Sequence, residues 1–229
     1  MKAGRRRGSQ SAFRGALGLL LLGGCAPLTD YDEIATGLPE GSLLEVGGQR
    51  VHVERWGKSG PPLVMIHGMA SSTYGFHKLG PLLGESHRVV AIDLNGFGFT
   101  ERPNAEKAYS LEGQTKLILA TMDELGIRRA SVIGHSYGGY LAMRLARDHP
   151  GRTDKIVLIS PALNVEVAPP AFVRSRILRS MAYPALRVLV SSPRGLRKVL
   201  EQAYHRQEVL DAETVRQYQQ RLLVEGLDR

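Results

Sequence analysis

The segment that decides the fold is Gly134-His135-Ser136-Tyr137-Gly138, which separates a mostly apolar run at 130–133 from a helical pattern at 139–147. The run predicts a buried strand, and the pattern predicts an amphipathic helix. A serine at the tip of a sharp strand-to-helix turn adopts strained backbone angles, so the positions two before and two after it must be small. Gly134 and Gly138 meet this requirement, which makes Ser136 the candidate nucleophile. A glycine-rich turn without catalytic role is the alternative that the pentapeptide alone leaves open.

The flanking sequence predicts strands that alternate with helices. Apolar runs at 61–66, 88–92 and 155–159 are typical of buried strands, and helices are expected at 74–83 and from a Ser110 cap to about Leu125. Such alternation indicates crossover units and a mostly parallel sheet with flanking helices, the α/β class. Residues 43–46 and 50–56 flank Gly47-Gly48, which predicts an antiparallel hairpin at the N-terminal edge.

Beyond residue 163 the apolar runs stop resembling strands. Residues 172–189 and 196–204 carry apolar side chains at helical spacing, and Asp211 is a plausible cap for a helix over 212–224. The sequence therefore predicts a core domain over 42–163, followed by a helical cap over 164–229.

The first 24 residues hold five basic and no acidic side chains, which supply +5 of the formal +8 net charge. The remaining +3 gives no reason to expect nucleic-acid binding. An apolar run at 16–22 is too short to span a bilayer, which needs about 20 residues, and it predicts a secretory signal peptide over 1–24. Ordinary cleavage and an uncleaved anchor both remain open.

Leu22-Gly23-Gly24-Cys25 resembles a bacterial lipoprotein signal, in which Cys25 is lipidated and becomes the mature N-terminus. Cys25 is the single cysteine, so an intramolecular disulfide is excluded. The resemblance implies an exported lipoprotein of the bacterial cell envelope, anchored to a membrane through Cys25, with residues 25–41 as the tether.

With these pieces in this order, residues 42–163 resemble the α/β-hydrolase family. The resemblance implies that backbone amides of Met69 and Tyr137 form the oxyanion hole, while His67, Gly68 and His135 shape the pocket. The alternative for His67 is a histidine that simply closes a strand. The family's dehalogenase and epoxide-hydrolase branches carry a carboxylate at the nucleophile position, so a serine there argues against both.

A serine needs a base and an orienting acid, which in this family follow the nucleophile in chain order. His149 comes 13 positions after Ser136 on one expected helix, roughly 20 Å away at 1.5 Å per residue. His205 falls in the cap segment and is expected to be solvated. The chain therefore resembles the N-terminal two thirds of a hydrolase, and the catalytic acid and histidine are expected beyond Arg229.

The resulting functional hypothesis is a serine esterase or lipase that acts on a small ester or acyl substrate through an acyl-enzyme on Ser136. A peptidase, an acyltransferase or a carbon–carbon bond hydrolase would use the same serine. A catalytically incomplete lipoprotein with a binding or scaffold role is the alternative from another class. The sequence shows no metal-ligand cluster with zinc-like spacing and no nucleotide fingerprint, so neither metal nor cofactor is expected.

Overall fold

The computed structural model describes residues 28–163, 184 and 186–226. Within this part the strands are Leu43–Val46 (β1), Gln49–Trp56 (β2), Pro62–Ile66 (β3), Arg88–Ile92 (β4), Ala130–His135 (β5) and Thr153–Ile159 (β6). They form one sheet in the order β1-β2-β4-β3-β5-β6. β2 pairs antiparallel with β1 and β4, and the remaining neighbours are parallel. The predicted α/β class, with a mostly parallel sheet and an N-terminal antiparallel pair, is confirmed.

Among the described residues, the α-helices with defined bounds are Tyr31–Gly37 (α1), Leu79–Gly84 (α2), Leu111–Glu124 (α3), Tyr137–Asp148 (α4), Pro193–Ala203 (α5) and Ala212–Leu222 (α6). Short 3-10 helices cover Thr73–Phe76, Glu106–Tyr109 and Gln207–Val209. Two predicted caps are present: the Ser110 side chain accepts from the Gly113 N–H, and that of Asp211 from the Thr214 N–H. Of the helix expected over 172–189, the described residues 184 and 186–189 are helical.

Both faces of the sheet are covered by apolar side chains. On one face Leu117 and Ile118 of α3 and Leu141 of α4 pack against strand residues such as Val64. On the other face Met65 and Val89 pack with Trp56, Phe76 and Leu79. Burial on both faces explains why the parallel strands read as continuous apolar runs.

The helix expected over 74–83 is wrong in detail. The structure has a 3-10 turn at Thr73–Phe76, then α2 from Leu79 to Gly84. Pro81 explains the interruption, because proline has no N–H to donate to the carbonyl of His77 and its ring clashes with that carbonyl in a continuous helix. The chain instead closes the first turn with a bond from the His77 N–H to the Tyr74 carbonyl, at 3.0 Å.

Residues 28–41, which the sequence predicts to be part of a tether, are packed on the domain in the structure. Asp30 caps α1, and the Tyr31 hydroxyl donates to the Phe99 carbonyl at 3.0 Å. The guanidinium of Arg50 lies 4.3 Å from the Tyr31 ring centre. Thr29 exchanges backbone bonds with Leu223 and Glu225, at 2.8 and 3.0 Å. An aromatic anchor and a strand-like bridge therefore fix the segment to the core.

Helices α5 and α6 form a separate apolar cluster above the sheet. Leu196, Leu200, Val215 and Tyr218 are buried in it. At the edge of the sheet, β6 leaves apolar side chains exposed, and Val157 is 51% accessible. No helix in the described ranges is long and apolar enough to cross a membrane.

Candidate functional site

Ser136 occupies the turn between β5 and α4 with φ 50° and ψ −113°. A positive φ is strained for a residue with a Cβ, and such strain is typical of a nucleophile elbow. A Cβ added at Gly138 would lie 2.1 Å from the Ile66 carbonyl oxygen, and one at Gly134 would lie 2.3 Å from that of Gly138. Only glycine fits at either position, for the reason the sequence indicated.

The last residue of β6 and the segment after it both bond to the serine backbone. The Ser136 N–H donates to the Ile159 carbonyl, and the Ser136 carbonyl accepts from the Ala162 N–H, both at 3.0 Å. A Cβ at Gly139 would lie 2.9 Å from the Pro161 Cβ, so α4 packs tightly on the same segment. The strained turn is therefore fixed by neighbouring backbone.

The proposed oxyanion donors directly follow the serine and the Gly68 turn that packs near it. Tyr137 opens α4, where the first N–H groups of a helix have no intrahelical acceptor. Met69 follows Gly68, and a Cβ added at Gly68 would be 3.1 Å from the Ser136 Cβ and 3.0 Å from the His135 Nδ1. The side chain of Met69 is 61% exposed, so the contribution expected of this residue is its backbone. The oxyanion role of both amides stays a prediction.

His67 is buried beneath this turn with both ring nitrogens engaged. Its Nδ1 donates to the Gly68 carbonyl at 2.8 Å, and its Nε2 accepts from the Leu94 N–H at 3.1 Å. This pattern requires the neutral tautomer with the proton on Nδ1. Burial lowers the pKa of His67, an effect that Asp93 and the Gly68 carbonyl oppose. The ring therefore braces the turn, and neither nitrogen is placed to take a proton from Ser136.

Asp93, at the end of β4, is the centre of a buried polar cluster. Its carboxylate accepts from the His52 Nδ1 at 2.7 Å, the Thr73 N–H at 2.6 Å and the Phe99 N–H at 2.9 Å. Burial acts to raise the pKa of Asp93, but the nearby His52, His67 and Arg221 outweigh it and lower the pKa to about 2. Asp93 is thus an ionised structural group, and its bonds lead to His52 and backbone.

A cavity of about 920 Å³ lies between the sheet and α5 and α6. Of the residues singled out in the sequence, His67, Met69, His135 and Tyr137 line it, and the half-buried Ser136 sits between the last two. We call the side formed by His67, Asn95, Gln114, His135 and Tyr137 the core wall. The side formed by Val190, Leu196, Leu200, Tyr204 and Tyr218 is the cap wall.

The two later histidines are not near the serine hydroxyl. His149 is the C-cap of α4, at the far end of the helix that Tyr137 begins. His205 is exposed, and it is not among the described residues that line the cavity. No cluster of potential metal ligands occurs in the described segments. The signal segment and Cys25 lie outside the described residues.

Three features of the site were missed by sequence reasoning. These are the His52–Asp93 pair, the hydroxyl contact between Tyr204 and Tyr218, and the insertion of Arg221 between two aromatic rings. Each joins residues that are far apart in sequence or on separate elements, so no local sequence pattern predicts it. The one available signal was Asp93 itself, a carboxylate directly after an apolar strand.

Comparisons with known proteins agree with this architecture. The family model for the alpha/beta hydrolase fold matches residues 61–222. The chain is 28% identical to an uncharacterized hydrolase, YugF, of Bacillus subtilis, over 76% of this chain and 63% of that protein. It is 36% identical to the 2-hydroxymuconate semialdehyde hydrolase of a Pseudomonas species, over 45% and 38% of the two chains. For epoxide hydrolase B of Mycobacterium tuberculosis the identity is 33%, over 52% and 34%.

Among solved structures, a meta-cleavage product hydrolase of Pseudomonas fluorescens superposes with a TM-score of 0.62 and 25% identity. The match covers 79% of this chain and 63% of that one. The chain spans between about one third and two thirds of the length of these curated relatives. Since the matched family segment contains the elbow, strands β3 to β6 and the helices above them, the chain belongs to the α/β hydrolase fold family.

Proposed function

We propose that the protein is a serine hydrolase that cleaves carboxylic esters through an acyl-enzyme on Ser136. The observation that carries this proposal is a strained serine at the elbow, between two residues that line a largely apolar cavity. A serine hydroxyl adds to a carbonyl carbon, whereas a carboxylate at this position would suit the alkylating chemistry of the epoxide-hydrolase branch.

In the proposed reaction the Ser136 oxygen bonds to the ester carbonyl carbon while its proton passes to a general base. The Met69 and Tyr137 N–H groups stabilise the negative oxygen that develops. The ester C–O bond then breaks, the alcohol leaves with the proton, and water releases the acid and restores the serine. The base and its orienting acid are proposed to lie beyond Arg229.

The test is to read the gene past codon 229 and to assay the product on p-nitrophenyl butyrate. Ser136→Ala is expected to lower kcat by about 10⁴-fold or more, the scale of losing a triad member. Ser131→Ala, five positions earlier on β5, is the matched control and should retain activity. Unchanged turnover in Ser136→Ala would overturn the nucleophile, and no turnover at all would favour a binding or scaffold role.

A carbon–carbon bond hydrolase is the second candidate. The similarity to the semialdehyde hydrolase and to the meta-cleavage product hydrolase favours it. Cleavage of an ester bond and cleavage of a carbon–carbon bond both begin with attack at a carbonyl carbon. An apolar cavity would suit the substrate of either reaction. Comparing kcat/KM for 2-hydroxymuconate semialdehyde and p-nitrophenyl butyrate decides between them, because the true substrate class should be preferred by orders of magnitude.

We also propose that Cys25 is lipidated and holds the protein on a membrane of the bacterial envelope. Thr29, which bonds to the end of α6, follows Cys25 by four residues, a reach of at most about 14 Å at 3.3–3.6 Å per residue. The cap would then sit close to the lipid surface. Cys25→Ser should move the protein from the membrane fraction to the soluble fraction. A variant that stays in the membrane fraction would contradict the lipid anchor.

A further inference from the structure

Two tyrosine hydroxyls meet in the cap wall. Tyr204 directly follows α5 and Tyr218 lies on α6, and their Oη atoms are 2.7 Å apart. Both side chains line the cavity. Val190, Leu196 and Leu200 belong to the same packed cluster. The hydroxyl pair is therefore a polar point within an apolar surface.

The contact between the two hydroxyls leaves hydrogen-bonding capacity unused. Each hydroxyl can donate once and accept twice, and the mutual bond uses one donor and one acceptor site. Neither hydroxyl has a second partner in the part of the chain that the structure describes. Tyr218 is only 6% exposed, so bulk solvent barely reaches it. A ligand oxygen in the cavity would supply the missing partner.

The rings are held in place before any ligand arrives. The Tyr218 ring packs edge-on against Tyr74 at 5.8 Å and against Tyr204 at 6.4 Å. Tyr74 in turn stacks on the His77 ring at 4.3 Å. A donor fixed by such packing binds its partner with little additional loss of side-chain freedom.

Two buried polar residues of the core wall, His67 and Gln114, already have partners within the protein. Both nitrogens of His67 are engaged. Gln114 exchanges two hydrogen bonds with the Asn95 backbone, at 3.0 Å each.

On the cap wall, burial raises the pKa of Tyr204, so its hydroxyl remains a neutral donor at physiological pH. The hydroxyl pair of the cap wall is therefore available to bind a polar substrate atom away from Ser136.

We propose that the Tyr204–Tyr218 hydroxyl pair is a specificity determinant that hydrogen-bonds a second oxygen of the substrate. The substrate class is an apolar acyl chain that carries a hydroxyl or carbonyl oxygen at a distance from its ester. This inference rests on the proposed ester hydrolysis, because that reaction places the ester carbonyl at Ser136.

A binding measurement on a variant without the nucleophile separates substrate recognition from the chemical step. The Ser136→Ala chain is titrated calorimetrically with p-nitrophenyl esters of straight-chain acids of increasing length, each ending in a methyl or in a hydroxyl group. At the matching length the hydroxylated ester should bind about 3- to 10-fold more tightly, the value of one hydrogen bond. Adding Tyr204→Phe or Tyr218→Phe should abolish this preference while thermal unfolding confirms that the domain is folded.

Tyr74→Phe is the matched control, since it removes a hydroxyl outside the described cavity lining and keeps the ring contacts. It should retain the preference. Equal binding at every length, or a preference that survives both cap substitutions, would overturn the role of the pair. A preference without any turnover by the wild-type product of the gene read past codon 229 would support the pair and refute ester hydrolysis. Turnover without a binding preference would support ester hydrolysis and refute the role of the pair.

Discussion

The two walls of the cavity hold their buried polar groups in different ways. On the core wall, His67 bonds to a carbonyl and an N–H, and Asp93 behind it accepts three hydrogen bonds. On the cap wall, Tyr204 and Tyr218 bond only to each other among the described residues. His67 and Asp93, whose hydrogen bonds are satisfied within the protein, fix the turn beside the serine, whereas the Tyr204–Tyr218 pair can recognise a ligand. The fold thus separates positioning from recognition.

The largest expected effect comes from breaking the polar cluster of the core wall with Asp93→Asn. Asparagine turns an N–H₂ group toward one of the donors of His52, Thr73 and Phe99, which leaves buried groups unpaired. The free energy of unfolding should fall by about 3–5 kcal/mol, as when one partner of a buried ion pair is removed. Urea denaturation measures this loss.

Asp148→Asn is the control for the same chemical change. Asp148 is an exposed residue that pairs with Arg147 at 2.6 Å. Its substitution should alter stability by less than about 1 kcal/mol, since exposed ion pairs contribute little. If both substitutions cost the same, Asp93 is not the structural centre that the contacts indicate.

Contacts between residues that are far apart in the sequence, such as those of Asp93, mark the limit of prediction from this sequence. The strands, the Ser110 and Asp211 caps and the Gly47-Gly48 turn follow from local patterns, and the structure confirms them. Gly134 and Gly138 were assigned correctly because the elbow constrains residues at fixed sequence offsets.

Contacts between distant residues could not be predicted in this way. His52 is 41 positions from Asp93, and Tyr31 is 68 positions from the Phe99 carbonyl that it binds. The segment 28–41 resembles a tether in composition, because one buried aromatic residue among polar neighbours leaves no periodic signal. The interruption of the helix at Pro81 is a local feature that was also missed, although the proline rule alone would have predicted it.

The next largest effect is expected at the elbow. In Gly138→Ala the new methyl group would lie 2.1 Å from the Ile66 carbonyl oxygen, so β3 and α4 must separate. Overpacking of this kind costs about 2–3 kcal/mol of unfolding free energy. Gly151→Ala is the control, because its Cβ would have no described atom within 4 Å. Equal melting temperatures for the two variants would show that the elbow tolerates the methyl group.

The pH dependence of stability should also report the core wall. The pKa of Asp93 is lowered to about 2 in the folded chain. Its contribution is therefore complete above the unfolded value near 3.9 and is lost as the pH falls toward 2, a change of about 2 kcal/mol. The buried neutral His67 adds a loss that begins as the pH falls below about 6.5, because the unfolded ring takes up a proton first.

Urea denaturation at a series of pH values measures both limbs. In the Asp93→Asn chain the loss of stability between pH 4 and 2 should be smaller, because position 93 has no carboxylate to protonate. A wild-type chain with constant stability over the whole range would contradict both assignments.

The smallest of these effects is expected where the cap is joined to the core. The guanidinium of Arg221, on α6, lies 4.6 Å from the Phe99 ring centre and 5.1 Å from that of Tyr74, and it pairs with Glu54 at 3.3 Å. Arg221→Lys keeps the charge but loses the planar stacking, which is worth about 1–2 kcal/mol when shielded from water. The arginine Nε–H is buried without a partner among the described residues, and the substitution removes this cost.

The net loss for Arg221→Lys should therefore be about 1 kcal/mol, measured by thermal unfolding. Arg216→Lys, on the same helix but solvent-exposed beside Glu213, should change stability by less than about 0.5 kcal/mol. A loss for Arg221→Lys as large as that for Asp93→Asn would mean that the cap and the core unfold as one unit. A small loss, with ligand binding weakened more than stability, would show that the cap wall can shift while the core wall remains fixed.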